Sequence, residues 1–463
     1  MHKADLWALS PIDGRYLVST SPLRTHFSEA ALISFRIRLE LQYLQLLAEH
    51  GVLSSLSAAE RRTLARLAEP DEMALSRVKA LEAQTHHDVK AVEYYLREQL
   101  QAAGHPRLLP FIHFAITSED INNLAYRLML RGGVEEVLWP SLLQLLARLE
   151  ALVSQHAALP MLARTHGQAA IPTTLGKELA VFAQRLLPLL EELRSLRLQG
   201  KFSGAVGSYQ AMQFAAPEVD WPALGQQLLR SLDLEQAPVT TQICPNDDLV
   251  ALLQCLSRLN GVLLDLSQDM WRYISDGWLV QQVGAGQVGS STMPQKVNPI
   301  DFENAEGNLG LANALIEGMS RKLSQSRLQR DLAESTVLRN LGVVCGHCLL
   351  AYQSLARGLG KVAPDQQHLA AALEENYSIL AEAWQTLERR RGNPQAYEVA
   401  AAAVKTKTLS AADWRQLTAP IDARLAALTP QTYLGLSVKQ ARSTARRLKK
   451  FLDRYPSHYQ AKP

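Results

Sequence analysis

The sequence predicts an all-α protein: three mainly helical domains, the central one a bundle of long helices. Apolar residues recur at helical spacing almost throughout, and several long Leu- and Ala-rich segments lie between about Asp120 and Leu359. Convincing strands are few. At roughly 150 residues per domain, the 463 residues make about three domains, with ample chain to bury a core. The expected divisions are 1–118, 119–365 and 366–463.

Taken in order, Ile33, Ile37, Leu41, Leu44 and Leu47 mark a first helix that stops at Gly51. Ser57 with Glu60 has the form of a capping box, and Pro70 closes the short helix it opens. Leu142–Ala157, Leu175–Leu198, Leu249–Ile274 and Phe302–Leu323 are the long bundle segments. Pro188 falls inside the second and should kink or split it, because proline lacks the amide donor and clashes with the preceding turn. After Pro364 the pattern changes to shorter Ala-rich stretches, one starting at Ser410 ahead of Asp413, another opened by Thr429-Pro430 and ending in basic residues. No fixed-period repeat suggests a solenoid.

Composition excludes disordered, collagenous and low-complexity classes, with 47% hydrophobic and 20% charged residues. Against 45 Asp+Glu stand 48 Lys+Arg, for a net charge of +3, so nothing calls for nucleic acid or another general polyanion as partner. An anionic ligand would be held locally. Four cysteines cannot form a disulfide framework in so long a chain. Met1 to Tyr16 has no signal-type apolar region, and no window of about 18 apolar residues is free of charge. The expectation is a cytoplasmic protein with no membrane contact.

Three stretches can carry chemistry. Gly284 to Pro299 has too many Gly, Ser and Pro residues for a helix. Such a loop can move, its backbone amides can approach an anion, Ser290 and Ser291 add hydroxyls, and Lys296 and Asn298 offer donors to a carboxylate. The plain alternative is an interhelical linker. In Arg164-Thr-His-Gly-Gln168, His166 can exchange a proton near neutral pH, although a lone histidine before a helix is more often a structural hydrogen-bonding residue. In Thr85-His-His-Asp88 the histidines and acid can orient one another; adjacent residues do not share a helical face, which speaks against a metal site. Cys345-Gly-His-Cys348 has redox spacing but lies in an apolar helical stretch, so buried structural thiols are expected. The basic group Arg442, Arg446, Arg447, Lys449 and Lys450 reads as a solvated helix face.

The string Gly289-Ser-Ser-Thr-Met-Pro-Gln-Lys-Val-Asn-Pro299 resembles the signature of the fumarase/aspartase superfamily, whose members eliminate fumarate from a succinyl group. Within it, Ser10 to Tyr16, Thr85 to Tyr95, Phe111 to Asn123, Arg164 to Lys177, Pro299 to Gly310 and Arg330 to Gly342 are similar to the bacterial adenylosuccinate lyases. That resemblance implies a homotetramer whose long helices form one bundle, with active sites shared between subunits. It implies a small-molecule nucleotide substrate and no metal or organic cofactor. The reaction would be β-elimination of fumarate from adenylosuccinate, leaving AMP, and from the related imidazole-carboxamide succinyl ribotide.

Such an elimination needs a base at the carbon beside a carboxylate and an acid at the departing nitrogen. By resemblance the base is Ser290, with Ser291 its adjacent alternative, and the acid is His166. A serine is a poor base in water, so its alkoxide needs backbone amides and a cation, for which Lys296 is the candidate. Lys296, Asn298, Thr117, Ser118 and Thr165 resemble the donors that meet charge developing on the carboxylate, and His87 the residue that supports the acid and touches the phosphate. Arg15, Tyr16, Arg330, Ser335 and Arg339 resemble phosphate ligands, Gln242 a ligand-binding glutamine and Asp88 a nucleotide contact. Gln295, Ser203, Ser208, Gln210, Ala169 and Asn246 depart from the family pattern. They fit a divergent member or a paralogue acting on another succinyl amine, such as argininosuccinate; the separate alternative of a non-catalytic helical scaffold is opposed by Ser290, His166 and the intact lysine loop.

Overall fold

A computed structural model of the chain describes residues 6–282, 293, 295–405 and 409–456. It is mainly helical, and the long segments lie close to their expected bounds: Trp139–Gln155, Leu175–Ser195, Asp247–Ser275 and Ile300–Leu323. Of the kink or split expected at Pro188, the split does not occur: Leu175–Ser195 is one continuous helix through the proline. Leu186, Leu187 and Leu190 around it are buried, and at about 1.5–3 kcal/mol per buried leucine they outweigh the roughly 3 kcal/mol that an interior proline costs. Two stretches, Ser118–Gln155 and Asp247–Ser275, pass a length-and-composition test for membrane spans, although 56% and 61% of their most apolar windows are buried inside the protein. A few charges within long apolar helices therefore do not preclude that test, and burial on this scale is what core helices show.

The chain divides into two compact units. The first comprises residues 1–139, 191–260 and 308–350. Its first long helix, Glu29–Glu49, starts where the Ser28 hydroxyl accepts from the Ala31 amide. Ile33, Ile37, Leu41, Leu44 and Leu47 are buried as their spacing requires, and the helix packs on Ser118–Gly132. The expected capping box closes both ways, Glu60 N–H to Ser57 Oγ at 3.2 Å and Ser57 N–H to the Glu60 carboxylate at 2.8 Å. Glu72–Thr85 and Asp88–Ala102 pack on each other, joined by His86 in the left-handed conformation and His87. Between the strands Gln199–Gly200 and Glu235–Gln236, which pair in parallel, lies the turn at Gly204 to Gly207. Gly207 has φ +84°, and a Cβ there would meet the Thr240 carbonyl at 2.3 Å, so only glycine fits.

That turn is anchored from beneath by Asp120. Its carboxylate pairs with Lys201 Nζ at 2.9 Å, both side chains fully buried, and accepts the amides of Ser203 and Gly204. A buried pair so bonded fixes geometry more than it adds stability, yet breaking it costs about 3–5 kcal/mol. Arg127 and Asp248 form a second buried fork, both N–O distances 2.9 Å. Cys345 and Cys348 are buried in the helix Leu341–Leu359 and form no disulfide, and burial pushes Cys345 well above the ordinary thiol range.

The second unit comprises residues 140–190, 261–307 and 351–463. It contains two antiparallel strand pairs, Pro160–Thr165 with Gln168–Thr174 and Leu279–Gln281 with Val362–Pro364. Toward the C-terminus, Tyr377, Leu380, Trp384, Ala400, Leu409, Trp414 and Leu425 form a core cluster. Trp384 and Trp414 meet edge to face at 6.3 Å, and the Trp414 indole donates to the Leu425 carbonyl at 2.8 Å. Ser410 and Asp413 form the expected cap of Ala411–Thr418. Thr429-Pro430 does not open a helix: Thr429 and Thr432 bond each other in a turn, and the basic helix begins later, at Ser437. Ala441, Thr444, Ala445, Leu448 and Phe451 face inward there, while Arg442, Arg446, Arg447, Lys449 and Lys450 are exposed.

Candidate active site

In the first unit the ends of three helices and the segment around Arg330 enclose a cavity of about 400 Å³. His87, Asp88, Ser118, Arg330, Ser335 and Arg339 all line it. Each is placed by local chain logic. His87 caps Asp88–Ala102, its Nδ1 accepting the Lys90 amide at 3.2 Å, so the neutral ring carries its proton on Nε2. Ser118 is the first residue of its helix, where Thr117 N–H donates to Asp120 at 2.8 Å. Ser335 lies in the short helix Ala333–Leu338, which Arg339 follows directly.

The cations are not bare. Arg330 pairs with Glu119 at 2.9 Å and donates to Gln242 Oε1 at 3.0 Å. Gln242 thus touches the cavity only through Arg330. Arg339 pairs with Asp88 and with Glu29, each at 3.2 Å. Burial pushes the Asp88 carboxyl up, but Arg36 and then Arg339 outweigh it and hold Asp88 below its ordinary range. Arg15 stands over the Tyr16 ring at 5.9 Å; neither residue, nor Thr117, is part of the lining.

Beneath Arg330 lies a second carboxylate. Glu334 is buried beside Glu119 and accepts from Asn246 at 3.3 Å. Burial, then the Glu119 charge, lift its pKa from 4.5 to about 7 despite Arg330. An acid raised in the folded state adds stability that is full below its unfolded pKa and is lost as pH rises through the folded one. Between pH 4.5 and about 7 the protein should therefore lose roughly 3 kcal/mol at this site. Glu334→Gln should melt higher than the parent at pH 8, with the gain vanishing near pH 5; equal differences at both pH values would contradict this reading.

In the second unit, His166 and Gly167 form the two-residue turn between Pro160–Thr165 and Gln168–Thr174, with φ of +53° and +76°. Two left-handed residues are what a tight antiparallel hairpin requires. Thr165 and His166 are exposed at its tip. Arg164 braces it, donating to the Gly167 carbonyl at 3.3 Å, lying 5.3 Å over Trp278 and reaching Asp276 at 3.9 Å. The expectation of few strands missed this hairpin. Lys296 is exposed and its amide bonds the Met293 carbonyl at 3.0 Å; Asn298 is half-buried. Ser290 and Ser291 lie outside the described residues.

His86, one of the paired histidines of Thr85–Asp88, also lines the cavity, whereas sequence reasoning missed Arg36, Glu82, Asn122, Tyr126 and Thr336 in its wall. For Arg36 a signal existed: it falls within the apolar stripe of its helix, between Ile33 and Ile37. Of the positions that depart from the family pattern, Ser203 is buried with its hydroxyl 3.2 Å from Thr240, and Asn246 is the partner of Glu334. Ala169 pairs with Arg164 in the hairpin, while Ser208, Gln210 and Gln295 are exposed. Among the described residues no group of three or more His, Cys, Asp or Glu is placed to hold a metal ion.

Residues 14–313 match a family model described as lyase, and residues 326–434 one described as adenylosuccinate lyase C-terminal. A fumarate lyase from Mesorhizobium sp. BNC1 shares the fold with a TM-score of 0.77 at 20% identity, over 92% of this chain and 97% of that one. The 3-carboxy-cis,cis-muconate lactonizing enzyme from Pseudomonas putida does so equally, at 0.77 and 20%, over 93% and 97%. Fold and family model together define a lyase of the fumarase/aspartase superfamily. Adenylosuccinate lyase from Legionella pneumophila (strain Corby) is 44% identical over 443 residues, covering 93% of this chain and 97% of the relative. That from Escherichia coli (strain K12) is 44% identical over 451 residues, covering 95% and 98%. The chain belongs to the adenylosuccinate lyase family.

Proposed function

We propose that the protein cleaves the C–N bond of adenylosuccinate to give AMP and fumarate, and the imidazole-carboxamide succinyl ribotide likewise, in purine nucleotide biosynthesis. The observation that carries this beyond kinship is the cavity where Arg330 and Arg339 meet Ser118, Ser335 and His87. Two guanidiniums with hydroxyls beside them suit a phosphate dianion, which adenylosuccinate has and argininosuccinate lacks.

In this reading Arg15, Tyr16, Arg330, Ser335 and Arg339 hold the phosphate, with Gln242 and Asp88 on the nucleotide. Ser290 takes the proton from the carbon beside the carboxylate, the electron pair left there forms the fumarate double bond as the C–N bond breaks, and His166 protonates the leaving nitrogen. Thr117, Ser118, Thr165, Lys296 and Asn298 meet the charge that develops on the carboxylate. His87 supports His166 and touches the phosphate. The chain works in the cytoplasm as a homotetramer with sites shared between subunits; exposed Val181, Trp271 and Leu311 on the long helices support such association. The organisation is three segments, 1–118, 119–365 and 366–463, the last supported by its own core around Trp384 and Trp414.

The phosphate assignment is tested by calorimetry. AMP should bind at least about tenfold more tightly than adenosine, and Arg339→Ala should weaken AMP by more than about 1.5 kcal/mol, the size of a hydrogen bond to a charged group. Unaltered AMP affinity in that variant would remove Arg339 from the site.

A further inference from the structure

Arg36 occupies a position that ought to be apolar. It lies on the buried side of Glu29–Glu49, is 1% exposed, and yet lines the cavity. A buried guanidinium is expensive unless its donors are met. Nε donates to Asn122 Oδ1 at 2.9 Å and Nη2 to Asp88 Oδ2 at 2.6 Å, while Nη1 has no hydrogen-bond partner among the described residues.

The oxygen that Arg36 holds is the one Arg339 also uses, Asp88 Oδ2, at the longer distance of 3.2 Å. The other oxygen, Oδ1, already accepts the Val89 amide at 2.9 Å. Asp88 therefore offers Arg339 one shared oxygen and not a two-pronged fork. From Asn122 the connection continues, its Nδ2 donating at 3.0 Å to the Glu119 oxygen that pairs with Arg330. Arg36 is thus bonded, through one intermediate on one side and two on the other, to both cations assigned to the phosphate.

We propose that Arg36 is a positioning residue of the phosphate pocket: from beneath, it takes the Asp88 oxygen that would otherwise neutralise Arg339, and so keeps Arg339 available to the nucleotide. The two guanidiniums share the Asp88 carboxylate, and Glu29, the other partner of Arg339, is itself shared with Lys79 at 3.2 Å, so neither carboxylate is spent on Arg339 alone and an arriving dianion can meet it. Without Arg36, Asp88 Oδ2 would be left to Arg339 alone and would compete with the phosphate. Asn122 and Glu119 would lose their lateral tie, and Arg330 with them.

The inference rests on the phosphate reading, so its test carries a control for that reading. Arg36→Met fills similar volume without charge, and Arg36→Lys restores charge without the fork. In the intact oligomer, Arg36→Met should raise KM for adenylosuccinate and the inhibition constant of AMP by about tenfold or more, equivalent to about 1.4 kcal/mol. The inhibition constant of fumarate and kcat should stay within about threefold, and Arg36→Lys should recover part of the loss. A generally disturbed fold would weaken AMP and fumarate together and lower kcat, and that outcome overturns the proposal, as does an AMP constant unchanged in Arg36→Met. Should Arg36→Met not fold, Arg36→Lys and Arg36→Gln are read in the same way, with graded loss of AMP alone expected. If Arg339→Ala raises the AMP constant and the Arg36 variants do not, the inference alone fails; if Arg339→Ala leaves it unmoved, the phosphate reading fails and the inference with it.

Discussion

Replacing His166 by Ala should lower turnover of adenylosuccinate by about 100-fold or more, the usual contribution of a positioned acid or base, with the fold intact. The side chain is exposed at the tip of a hairpin turn and contributes nothing to a core. An alanine must still adopt φ near +53° there, a local strain of about 1–2 kcal/mol that the strand pairing and the Arg164 brace can absorb. Loss of the acid should fall mainly on kcat, because the proposed role of the imidazole is to protonate nitrogen in the transition state rather than to grip the ground state. Circular dichroism and the melting midpoint of the variant report on the fold. Unchanged turnover in a folded variant would end the assignment of His166 as acid, and a scaffold without chemistry would not respond at all.

Ser290→Ala should be at least as severe, lowering turnover by about 1,000-fold, whereas Ser291→Ala should cost about tenfold or less. A serine deprotonates only where amides and a cation stabilise the alkoxide, so one hydroxyl of the adjacent pair must carry the role and the other must not. AMP should still bind the Ser290→Ala protein, since the residues proposed to hold its phosphate lie in the first unit. Rapid-quench analysis of a single turnover separates the chemical step from product release in both variants. The reverse order of effects would move the base to Ser291.

Where sequence and structure agree, the signal is local and repeated. Apolar spacing in Glu29–Glu49 and the reciprocal caps at Ser57–Glu60 and Ser410–Asp413 each follow from one turn of helix, and one turn is visible in a short window. The hairpin around His166 was hidden because Pro160, Met161, Leu162 and Ala163 are a continuous apolar run and Pro172 sits within the second strand. His-Gly between Thr165 and Gln168 was the usable hint, a two-residue turn with glycine second. Pro188 does not split its helix because flanking buried leucines, which local propensity does not count, hold it together. Thr429-Pro430 misled in the other direction, the hydroxyls of Thr429 and Thr432 closing a turn rather than a cap.

The cavity shows a similar division. His87, Asp88, Ser118, Arg330, Ser335 and Arg339 come from three stretches whose motifs resemble the family, and the fold brings them to one cavity. Arg36 and Glu119 belong to the same charge network but lie among buried residues, where their meaning depends on partners distant in the chain. For Arg36 the trace was a charged residue interrupting an apolar stripe; Glu119, between Ser118 and Asp120 at a helix start, left none. Asn246 and Glu334 illustrate the converse: a departure from the family pattern has a definite partner, but that partner is 88 positions away in sequence.

The central claim is tested most directly by steady-state ultraviolet assay of the purified protein with adenylosuccinate, the products identified chromatographically and argininosuccinate run in parallel. The account predicts AMP and fumarate in equal amounts from the first substrate and no turnover of the second. A folded, oligomeric protein that leaves adenylosuccinate intact, or that releases fumarate from argininosuccinate instead, would contradict it.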